Sequence, residues 1–545
     1  LLVGNALALF ALGRRVVTRE RPIARRALFA TACAALLAFL ISAFSFGARQ
    51  TVAATIFNHS LLTGRVARTF QKTIDLDRDG FSPLFNGGDC NDRNARIFPG
   101  AADIPGNGID ENCTGQDARV HQEEDDGHLV EVTGPLVGQK PSFVLLSIDA
   151  VRPDHLGAYG YRRPTSPNLD AFAREAARFT HAYCASPRSL RSFSSIWVGR
   201  YPSLIQWGND NQFPPLEESN VTLAESLREA GYVSAGFINA DYFNRTAGFF
   251  QGFADRFEAN GFKDEVGPTV ESAARWIRDA ALRPEPFFVW VHLMEPHDPY
   301  RDHREPREFG HRAIDRYDEE IARADQAAKN ILDAVEFIGA SRPVITVVIG
   351  DHGEAFNEHG YEHHSFDLHE EAVRVPLLVR GPGIAPGPRE ALTSLMDLHP
   401  TFLNYAGRQP AVPISGRSLV PVLQDPHIPI VGRGWRDHLY AEVTPDGLLP
   451  YEQKALIAPP YKILWDVRHG TWEVFDLARD PGEIHNLYDV NPSLAADLRA
   501  RLLTWVEGVG VGRTRSDDLI AAARLPAPPK MQNTVGVRFG NVVEL

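Results

Sequence analysis

Four short apolar segments, each followed by polar residues, recur in the central part of the chain. They read SFVLLSID, PFFVWVHLMEPHDP, PVITVVIGDHGE and VPLLVRGPG. Amphipathic patterns typical of helices lie between them, such as PNLDAFAREAARF and RYDEEIARADQAAKNILDAVEF. Buried strands that alternate with helices predict a mostly parallel sheet covered on both faces. Because ligands bind beyond the carboxyl ends of such strands, the polar residues after these segments are candidate site residues.

The N-terminal pattern is different, because residues 27–47 form an apolar run without a charged residue. This run is long enough to cross a bilayer as a helix. The preceding segment RRVVTRERPIARR is rich in arginine and is predicted to stay cytoplasmic, which places everything after residue 47 outside. Residues 1–13 are also apolar and, in a chain that begins without Met, are predicted to be the end of another membrane helix. A cleaved signal peptide is the alternative interpretation.

Residues 75–117 form an acidic segment that contains many glycines and begins D-x-D-x-D-G. Carboxylate oxygens are the ligands that Ca²⁺ prefers. The segment is not an EF-hand, because loop position 12 is Asn86 and not Glu. It resembles the calcium-binding, thrombospondin-like repeat of bacterial surface proteins, and we expect a rigid spacer between the membrane and the rest of the chain. A solvated acidic linker is the alternative. The candidate calcium ligands are Asp75, Asp77, Asp79, Asp89, Asp92 and Asp110, together with Asn112.

Charge and cysteine content narrow the choice of function. The formal net charge of −13 argues against a nucleic-acid partner, because the chain would repel phosphate backbones. Small anionic substrates remain possible, since a bound metal dominates the local charge. Cys90 and Cys113 flank the acidic segment and are able to form a disulfide in an oxidising compartment.

The polar residues at the predicted strand ends include Asp149, His297, Asp351 and His352. Each of them alone has a structural interpretation, as a helix cap or a hydrogen-bonded core residue. Together they predict a metal site. Carboxylate and imidazole ligands suit Zn²⁺ or Mn²⁺, and carboxylate oxygens also suit Mg²⁺ or Ca²⁺.

Several segments, in the same order, resemble those of sulfatases and related enzymes of the alkaline-phosphatase superfamily over about residues 142–505. They include VGRYPS, HLMEPHDPY, IGDHGEAFNEHG, EEAVRVPLLVRGPGI, MDLHPTFLNYAG and WEVFDLARDPGEIHNLYD. The resemblance implies an α/β fold, with an alkaline-phosphatase-like, mostly parallel sheet flanked by helices and a small C-terminal α+β subdomain. The expected division is a transmembrane region 1–47, a linker 48–74, a calcium-binding module 75–117, a linker 118–140, a catalytic domain 141–409, a C-terminal subdomain 410–510 and a tail 511–545.

The resemblance also implies a nucleophile, for which CASPRSLRSFSSIWVGR offers Cys184 and Ser189. In the sulfatase signature a Gly-Arg pair begins ten residues after the nucleophile, and Gly199 lies ten residues after Ser189. The spacing therefore selects Ser189 and makes Cys184 a bystander. Ser189 begins the predicted helix SLRSFSSIWV, whose N-terminus favours an oxyanion. A plain N-cap serine is the alternative.

By position, the resemblance assigns the other roles. Asp149, Asp351 and His352 are expected to bind the divalent metal, with Ser189 completing its shell. His297 matches a histidine that contacts substrate oxygens. Either His363 or His364 matches the group that protonates or holds the ester, and His359 is an additional candidate. We expect Arg152 and Asp154 to brace the loop.

The chain departs from the sulfatase pattern at three places. Arg191 and Phe193 stand where the signature has Pro and Arg, which argues against conversion of Ser189 to formylglycine. Ala150 replaces the second Asp of the first metal motif, and His352 replaces an Asn. These features are closer to the superfamily's membrane-anchored phosphoglycerol and phosphoethanolamine transferases.

The leading hypothesis is a membrane-anchored, metal-dependent hydrolase of sulfate esters with an extracytoplasmic catalytic domain, either periplasmic or at the cell surface. Its substrate is a sulfated or phosphorylated small molecule, glycan or lipid. The alternatives are a phosphoryl or phosphoglycerol-type transferase, or a phosphodiesterase, that uses unmodified Ser189, and an inactive calcium-binding surface protein.

Overall fold

The computed structural model describes residues 130–509 except 209–212, 241, 259–264, 302–308, 340, 433, 445–451 and 468–469. It also describes 74–79, 81–83, 89–98, 108–111 and 113 of the acidic segment and its border. The predicted membrane region 1–47, residues 48–73 of the first linker, Asn112 and the tail 511–545 lie outside these residues. No helix among the described residues has the length and apolar character that a membrane crossing requires.

The chain forms strands and helices in alternation through its central part. The strands are β1 (Ser142–Ile148), β2 (Ala177–Phe179), β3 (Ala182–Tyr183), β4 (Val233–Ile238), β5 (Asp255–Glu258), β6 (Phe287–Leu293), β7 (Val344–Gly350), β8 (Ala355–Phe356), β9 (Glu362–His363), β10 (Leu377–Arg380), β11 (Gly387–Arg389), β12 (Thr393–Ser394), β13 (Leu439–Val443), β14 (Gln453–Ala458), β15 (Tyr461–Asp466) and β16 (Thr471–Asp476). The α-helices are α1 (Pro167–Arg174), α2 (Ser189–Val198), α3 (Leu223–Glu229), α4 (Val266–Ala281), α5 (Ala313–Gly339), α6 (Glu370–Val373), α7 (Leu398–Tyr405), α8 (Val420–Gln424) and α9 (Pro492–Val509).

An eight-stranded sheet in the order β11-β2-β10-β7-β1-β6-β4-β5 forms the centre of the fold. Its central strands β7, β1, β6 and β4 are parallel, and β10 alone runs against its neighbours β7 and β2. The apolar runs of β1, β6 and β7 are buried along their whole length, as strands covered on both faces are. The predicted mostly parallel sheet is therefore confirmed.

Alternate residues of β1 enter different apolar cores, because successive side chains of a strand point to opposite faces. Val144 and Leu146 pack in a core that includes residues of α1, α4 and α5. Phe143 and Leu145 pack in a second core with residues of α2, α3 and α7. The sheet thus lies between two helical layers, and this arrangement fixes where each strand ends.

A smaller antiparallel sheet, β13-β14-β15-β16, lies in the C-terminal part of the chain. Residues of α9 pack against it in a separate apolar core that also includes Ala185 and Tyr201 from the region around α2. The backbone N–H of Glu442 donates to the carbonyl of Ala185 at 2.9 Å. The C-terminal sheet therefore supports the segment that leads into α2.

Candidate active site

Three neighbouring strands deliver polar side chains to one edge of the large sheet. Asp149 follows β1, Asp351 follows β7, and His292 is the penultimate residue of β6. The N–H of Asp149 donates to the carbonyl of Leu293 at 2.9 Å, which ties the end of β1 to the end of β6. All three side chains are fully buried. The parallel sheet thus brings together residues that are far apart in the sequence.

Ser189 reaches this edge from the first turn of α2. Its Oγ lies 3.0 Å from Nε2 of His352 and 3.3 Å from Oδ2 of Asp149. The helix ends at Gly199, whose φ of 75° lies in the left-handed region that glycine tolerates. The helix predicted to start at Ser189 is confirmed, and it places the hydroxyl beside two of the expected metal ligands.

The backbone sets the tautomer of His352. Its Nδ1 lies 2.9 Å from the carbonyl oxygen of Gly353, and a carbonyl oxygen only accepts hydrogen bonds. Nδ1 therefore carries a proton, and Nε2 faces Ser189 and the two aspartates. Metal-binding histidines are commonly oriented in this way by a backbone carbonyl.

Two carboxylate oxygens at the site are buried without a hydrogen bond to any described residue. They are Oδ1 of Asp149 and Oδ2 of Asp351, and each lies 3.6 Å from Nε2 of His352. The other oxygen of Asp351 accepts from the backbone N–H groups of Ala150 and His352. Buried charges need a partner or a metal. These two oxygens, with Nε2 of His352 between them and Ser189, suit the ligand shell of a divalent cation.

The two buried carboxylates of the site, Asp149 and Asp351, repel each other in the absence of a cation. Burial would raise the pKa of Asp149, but the imidazoles of His297, His292 and His352 outweigh it and lower that pKa. Burial and the neighbouring Asp149 carboxylate raise the pKa of Asp351. A divalent cation between the two carboxylates would remove this repulsion.

His292 is a site residue that the sequence assignment missed. Its Nε2 lies 3.2 Å from Oδ2 of Asp149, and Asp149, His292 and Asp351 can each offer a ligand atom to one ion. Its Nδ1 lies 2.9 Å from Oγ of Ser147, which accepts a hydrogen bond from Nε1 of Trp290. A histidine inside an otherwise apolar, fully buried strand is the signal that identifies it.

The structure separates His364 from His363. The ring of His364 lies 4.4 Å from that of His352 and 4.8 Å from that of His297. His363 is one third exposed, and its Nδ1 lies 3.9 Å from Asp298. The structure therefore places His364, together with His297, beside the expected metal ligands. Nδ1 of His364 lies 3.1 Å from Glu354, a buried carboxylate of the DHGE segment that the sequence assignment also missed.

The remaining candidates lie around this group. Arg152 pairs with Asp154 at 2.7 Å and donates to the carbonyl of Glu354 at 3.0 Å, so it links the loops after β1 and β7. His359 lies in a different cluster, with His369. Cys184 is buried, and burial raises the pKa of its thiol, which disfavours a thiolate nucleophile.

Phe193 occupies an apolar environment at the position where the sulfatase signature has Arg. Its ring packs edge-to-face on His292 at 5.0 Å and lies 4.7 Å from Trp290. Arg191, at the Pro position of the signature, is buried with its guanidinium 3.8 Å from the ring centre of Trp207. Both departures from the signature are therefore built into the packing behind the site.

We expect Phe193→Arg to lower the free energy of unfolding by more than ~3 kcal/mol, because it buries a charge among aromatic rings. Phe193→Leu, which keeps an apolar side chain, is expected to cost only ~1.5 kcal/mol. Urea unfolding followed by tryptophan fluorescence measures both. A Phe193→Arg protein as stable as Phe193→Leu would contradict this account of the packing.

The acidic segment also gathers carboxylates. Asp75, Asp77 and Asp79 can offer ligand atoms within 4.8 Å of one another, and so can Asp77, Asp89 and Asp92. Asp110 belongs to neither group. The structure also contains the disulfide between Cys90 and Cys113. Buried Oδ2 atoms without a hydrogen bond to any described residue are found on Asp77, Asp79 and Asp89.

Known protein families match both the part of the chain that contains the candidate active site and the acidic segment. Residues 141–408 match the family model "Sulfatase", and residues 357–507 match the model of the C-terminal region of N-sulphoglucosamine sulphohydrolase. Residues 89–118 match a model described as "Putative metal-binding motif". The expected thrombospondin-like repeat corresponds only loosely to this last match.

Individual relatives give the same result over most of the chain. The Delta 4,5-hexuronate-2-O-sulfatase of Bacteroides thetaiotaomicron is 25% identical over 466 residues, which cover 72% of this chain and 93% of the relative. Arylsulfatase K of Xenopus laevis is 25% identical over 63% of this chain and 78% of the relative. The crystal structure of Ps i-CgsB shares the fold with a TM-score of 0.57 at 19% identity, over 71% of this chain and 98% of that one. The chain therefore belongs to the sulfatase family of the alkaline-phosphatase superfamily, a family of sulfuric ester hydrolases.

Proposed function

We propose that this chain is a membrane-anchored, metal-dependent sulfuric ester hydrolase. The nucleophile is an oxygen of residue 189, either the hydroxyl of Ser189 or a hydroxyl of the hydrated formylglycine made from it, and this oxygen attacks the sulfur. The observation that carries the proposal is the convergence of Ser189 Oγ on His352 and Asp149, beside two carboxylate oxygens without hydrogen bonds. Attack forms a bond from this oxygen to sulfur, and the bond from sulfur to the ester oxygen of the leaving alcohol breaks. Water then completes the hydrolysis, so that sulfate leaves and the hydroxyl of residue 189 is restored.

We assign a role to each residue of the site from its position. Asp149, Asp351, His352 and His292 would hold a divalent cation, which lowers the pKa of the Ser189 hydroxyl and offsets the charge of the ester oxygens when bound. The N-terminus of α2 adds a favourable field for a developing oxyanion at Ser189. His364, held by Glu354, lies within ring contact of His352 and His297, and we assign His364 and His297 to holding the ester or protonating the leaving oxygen.

A sulfated sugar is the substrate class we propose. The hexuronate sulfatase relative, which aligns over nearly its whole length, supports it. The chain's net charge of −13 does not exclude such an anionic ligand, because a site-bound cation would dominate the local charge.

Phosphoester cleavage or transfer is the second candidate. Phe193 is packed where the sulfatase signature has Arg, and His352 stands at a metal-ligand position where sulfatases have Asn. Phe193 favours an unmodified serine, and His352 makes the metal site resemble that of the superfamily's transferases. The Oγ of Ser189 would then form a phosphoserine and pass the phosphoryl-containing group to water or to an acceptor hydroxyl.

We further propose that the catalytic domain lies outside the cytoplasm and that the acidic segment binds Ca²⁺. The apolar run 27–47 with its arginine-rich neighbour supports the anchor, and the Cys90–Cys113 disulfide supports an oxidising compartment. In the acidic segment, Oδ1 of Asp77, Asp79 and Asp89 accepts a hydrogen bond from a backbone N–H group, and Oδ2 of each has no hydrogen bond to a described residue. Burial raises the pKa of Asp79 to about 7 and that of Asp89 to about 6, a cost that a bound cation would offset.

Turnover of aryl sulfates, sulfated uronides and aryl phosphodiesters by the full chain, combined with the mass of the peptide that contains Ser189, tests the proposal. We expect sulfate release that a chelator abolishes, because the free hydroxyl is a weak nucleophile without a cation. The mass of the peptide decides whether residue 189 is an unmodified serine or the aldehyde formylglycine.

Phosphodiester turnover with a phosphorylated Ser189 peptide would select the second candidate. No turnover of either ester by metal-loaded protein would favour the inactive calcium-binding surface protein.

A further inference from the structure

Arg191 brings a positive charge into the buried first turn of α2, close to the candidate nucleophile. We propose that Arg191 is a specificity-determining residue, whose guanidinium binds a carboxylate on the sulfated sugar while Ser189 attacks the sulfate ester of the same molecule. The part played by Ser189 rests on the proposed function, whereas the binding of a carboxylate at Arg191 does not.

The guanidinium of Arg191 has no acceptor for its N–H groups among the described residues. Arg191 is only 7% exposed, and its side chain makes neither a hydrogen bond nor an ion pair within the described part of the chain. A guanidinium carries five N–H donors and stays charged at neutral pH. Because buried charges are normally paired, an anion that comes from outside the chain is the partner that this group lacks.

Stacking on Trp207 fixes the guanidinium without using its donors. Cζ of Arg191 lies 3.8 Å from the ring centre of Trp207. This contact occupies one flat face of the guanidinium, whereas the N–H groups point outward in its plane. Nε1 of Trp207 donates to the carbonyl of Pro202 at 3.0 Å, which holds the ring in place. The donors are thus pre-positioned, and this lowers the entropy that binding an anion costs.

The neighbouring charges do not neutralise Arg191. Among the described groups whose charges act on it, Arg188 repels it and Glu442 attracts it. Glu442 already has other partners, because one of its oxygens lies 2.6 Å from Nζ of Lys454 and the other accepts from the backbone N–H of Ser203 at 2.7 Å. Glu442 therefore neutralises Lys454, and the charge of Arg191 remains for a ligand.

The helix places Arg191 near Ser189 but on another side of α2. The two residues are separated by one position, and side chains at this spacing do not face each other on a helix. Helical side chains lean toward the N-terminus of their helix, which here is the end that carries Ser189. This placement suits a residue that binds a part of the substrate other than the reacting ester.

Aromatic side chains connect the surroundings of Arg191 with the metal ligands. Tyr242, which follows β4, is close enough to act on the charge of Arg191. Its ring lies 5.1 Å from that of Phe243, and the ring of Phe243 lies 5.4 Å from that of His292. Ligand sites are lined mainly by apolar and aromatic side chains, with a few polar groups that fix the orientation of the ligand. Arg191 and these rings have that composition.

A carboxylate is the sugar anion that best matches the donors of Arg191. The N–H groups of a guanidinium form two parallel hydrogen bonds with two coplanar oxygens. Uronic acids carry such a group on the sugar ring. A second sulfate ester is the alternative anion, and its tetrahedral oxygens include no carboxylate-like plane. We therefore assign a sulfated uronide to the site.

Calorimetric titration of the full, metal-loaded chain with glucuronate and with glucose tests the assignment, because the two sugars differ only at C6. We expect glucuronate to bind ~10- to 100-fold more tightly, since hydrogen bonds between charged groups contribute factors of this order. Arg191→Gln should lose this preference, and Arg191→Lys, which keeps the charge without the fork, should retain part of it. Equal affinity of wild type for the two sugars, or binding of neither, would overturn the proposal without any variant, and so would a preference that survives Arg191→Gln.

Arg380→Gln is the matched control. Arg380 also lies over an aromatic ring, that of Phe172 at 4.7 Å, but it pairs with Glu175 and ends β10. We expect this variant to keep the preference for glucuronate. Glucose 6-sulfate separates the two anions, because tighter binding of this ester than of glucuronate, lost in Arg191→Gln, would contradict the carboxylate.

Turnover separates this proposal from the proposed function. In Arg191→Gln we expect KM for a sulfated uronide to rise by ~10- to 100-fold more than KM for 4-nitrophenyl sulfate, which has no carboxylate. An equal change in both values would contradict a role in specificity. A protein that prefers glucuronate through Arg191 but hydrolyses no ester would keep the carboxylate site and refute the function, and hydrolysis without this preference would do the reverse.

Discussion

Replacing Ser189 with alanine is expected to reduce turnover by at least ~10⁴-fold while the protein keeps its divalent metal. The substitution removes only the attacking oxygen, and loss of a nucleophile costs factors of this order or more. The aspartates and His352 stay in place, because backbone N–H groups and a carbonyl hold Asp351 and His352. Steady-state kinetics and metal analysis on the same preparation measure both quantities.

Ser194→Ala is the matched control for this experiment. Ser194 lies on the same helix, is fully buried, and makes no side-chain hydrogen bond to any described residue. We expect its replacement to leave turnover within about twofold of wild type, since no polar contact is lost. If Ser189→Ala retained the activity of Ser194→Ala, the attacking group would have to be sought elsewhere.

Asp351→Asn is expected to have opposite effects on metal binding and on the stability of the metal-free protein. Removal of a charged ligand should weaken binding of the catalytic metal by more than ~100-fold, since even outer partners of metal ligands contribute 10- to 100-fold. In the metal-free state the substitution removes the repulsion between two buried carboxylates, so the variant should melt at a higher temperature than wild type in chelator.

Thermal unfolding with chelator and with a series of added divalent ions checks this pair of effects. We expect wild type to gain stability when the metal is added, because a ligand that binds only the folded state stabilises it. Asp351→Asn should gain less than wild type, because only the stabilisation by ions bound outside the active site remains. Equal stabilisation of both proteins by every ion in the series would remove Asp351 from the metal site.

The sequence predicted the framework of the site because the parallel sheet converts chain order into proximity. Asp149 and Asp351 follow apolar runs, and runs buried on both faces end at a common edge. Ser189 was selected by its spacing from Gly199, and the structure explains that spacing as the length of one helix closed by a left-handed cap.

Other parts of the site depend on contacts that no local pattern reports. His292 was missed because its side chain faces Asp149 through the pairing of β1 with β6, in which Ser147 lies opposite His292. The choice between His363 and His364 depends on the backbone of a short hairpin, where His363 has a φ of 65° and a side chain that is one third exposed beside Asp298. A one-residue shift in such a turn reverses which side chain faces the site.

The aromatic packing of Phe193 has a consequence for anyone who wants to engineer the full sulfatase signature into this chain. Arginine at this position would place a cation between His292 and Trp290, with Phe243 also within ring contact. The neighbouring rings would have to be replaced by smaller side chains in the same design. The signature residue and the aromatic cluster behind it therefore have to be redesigned as one unit.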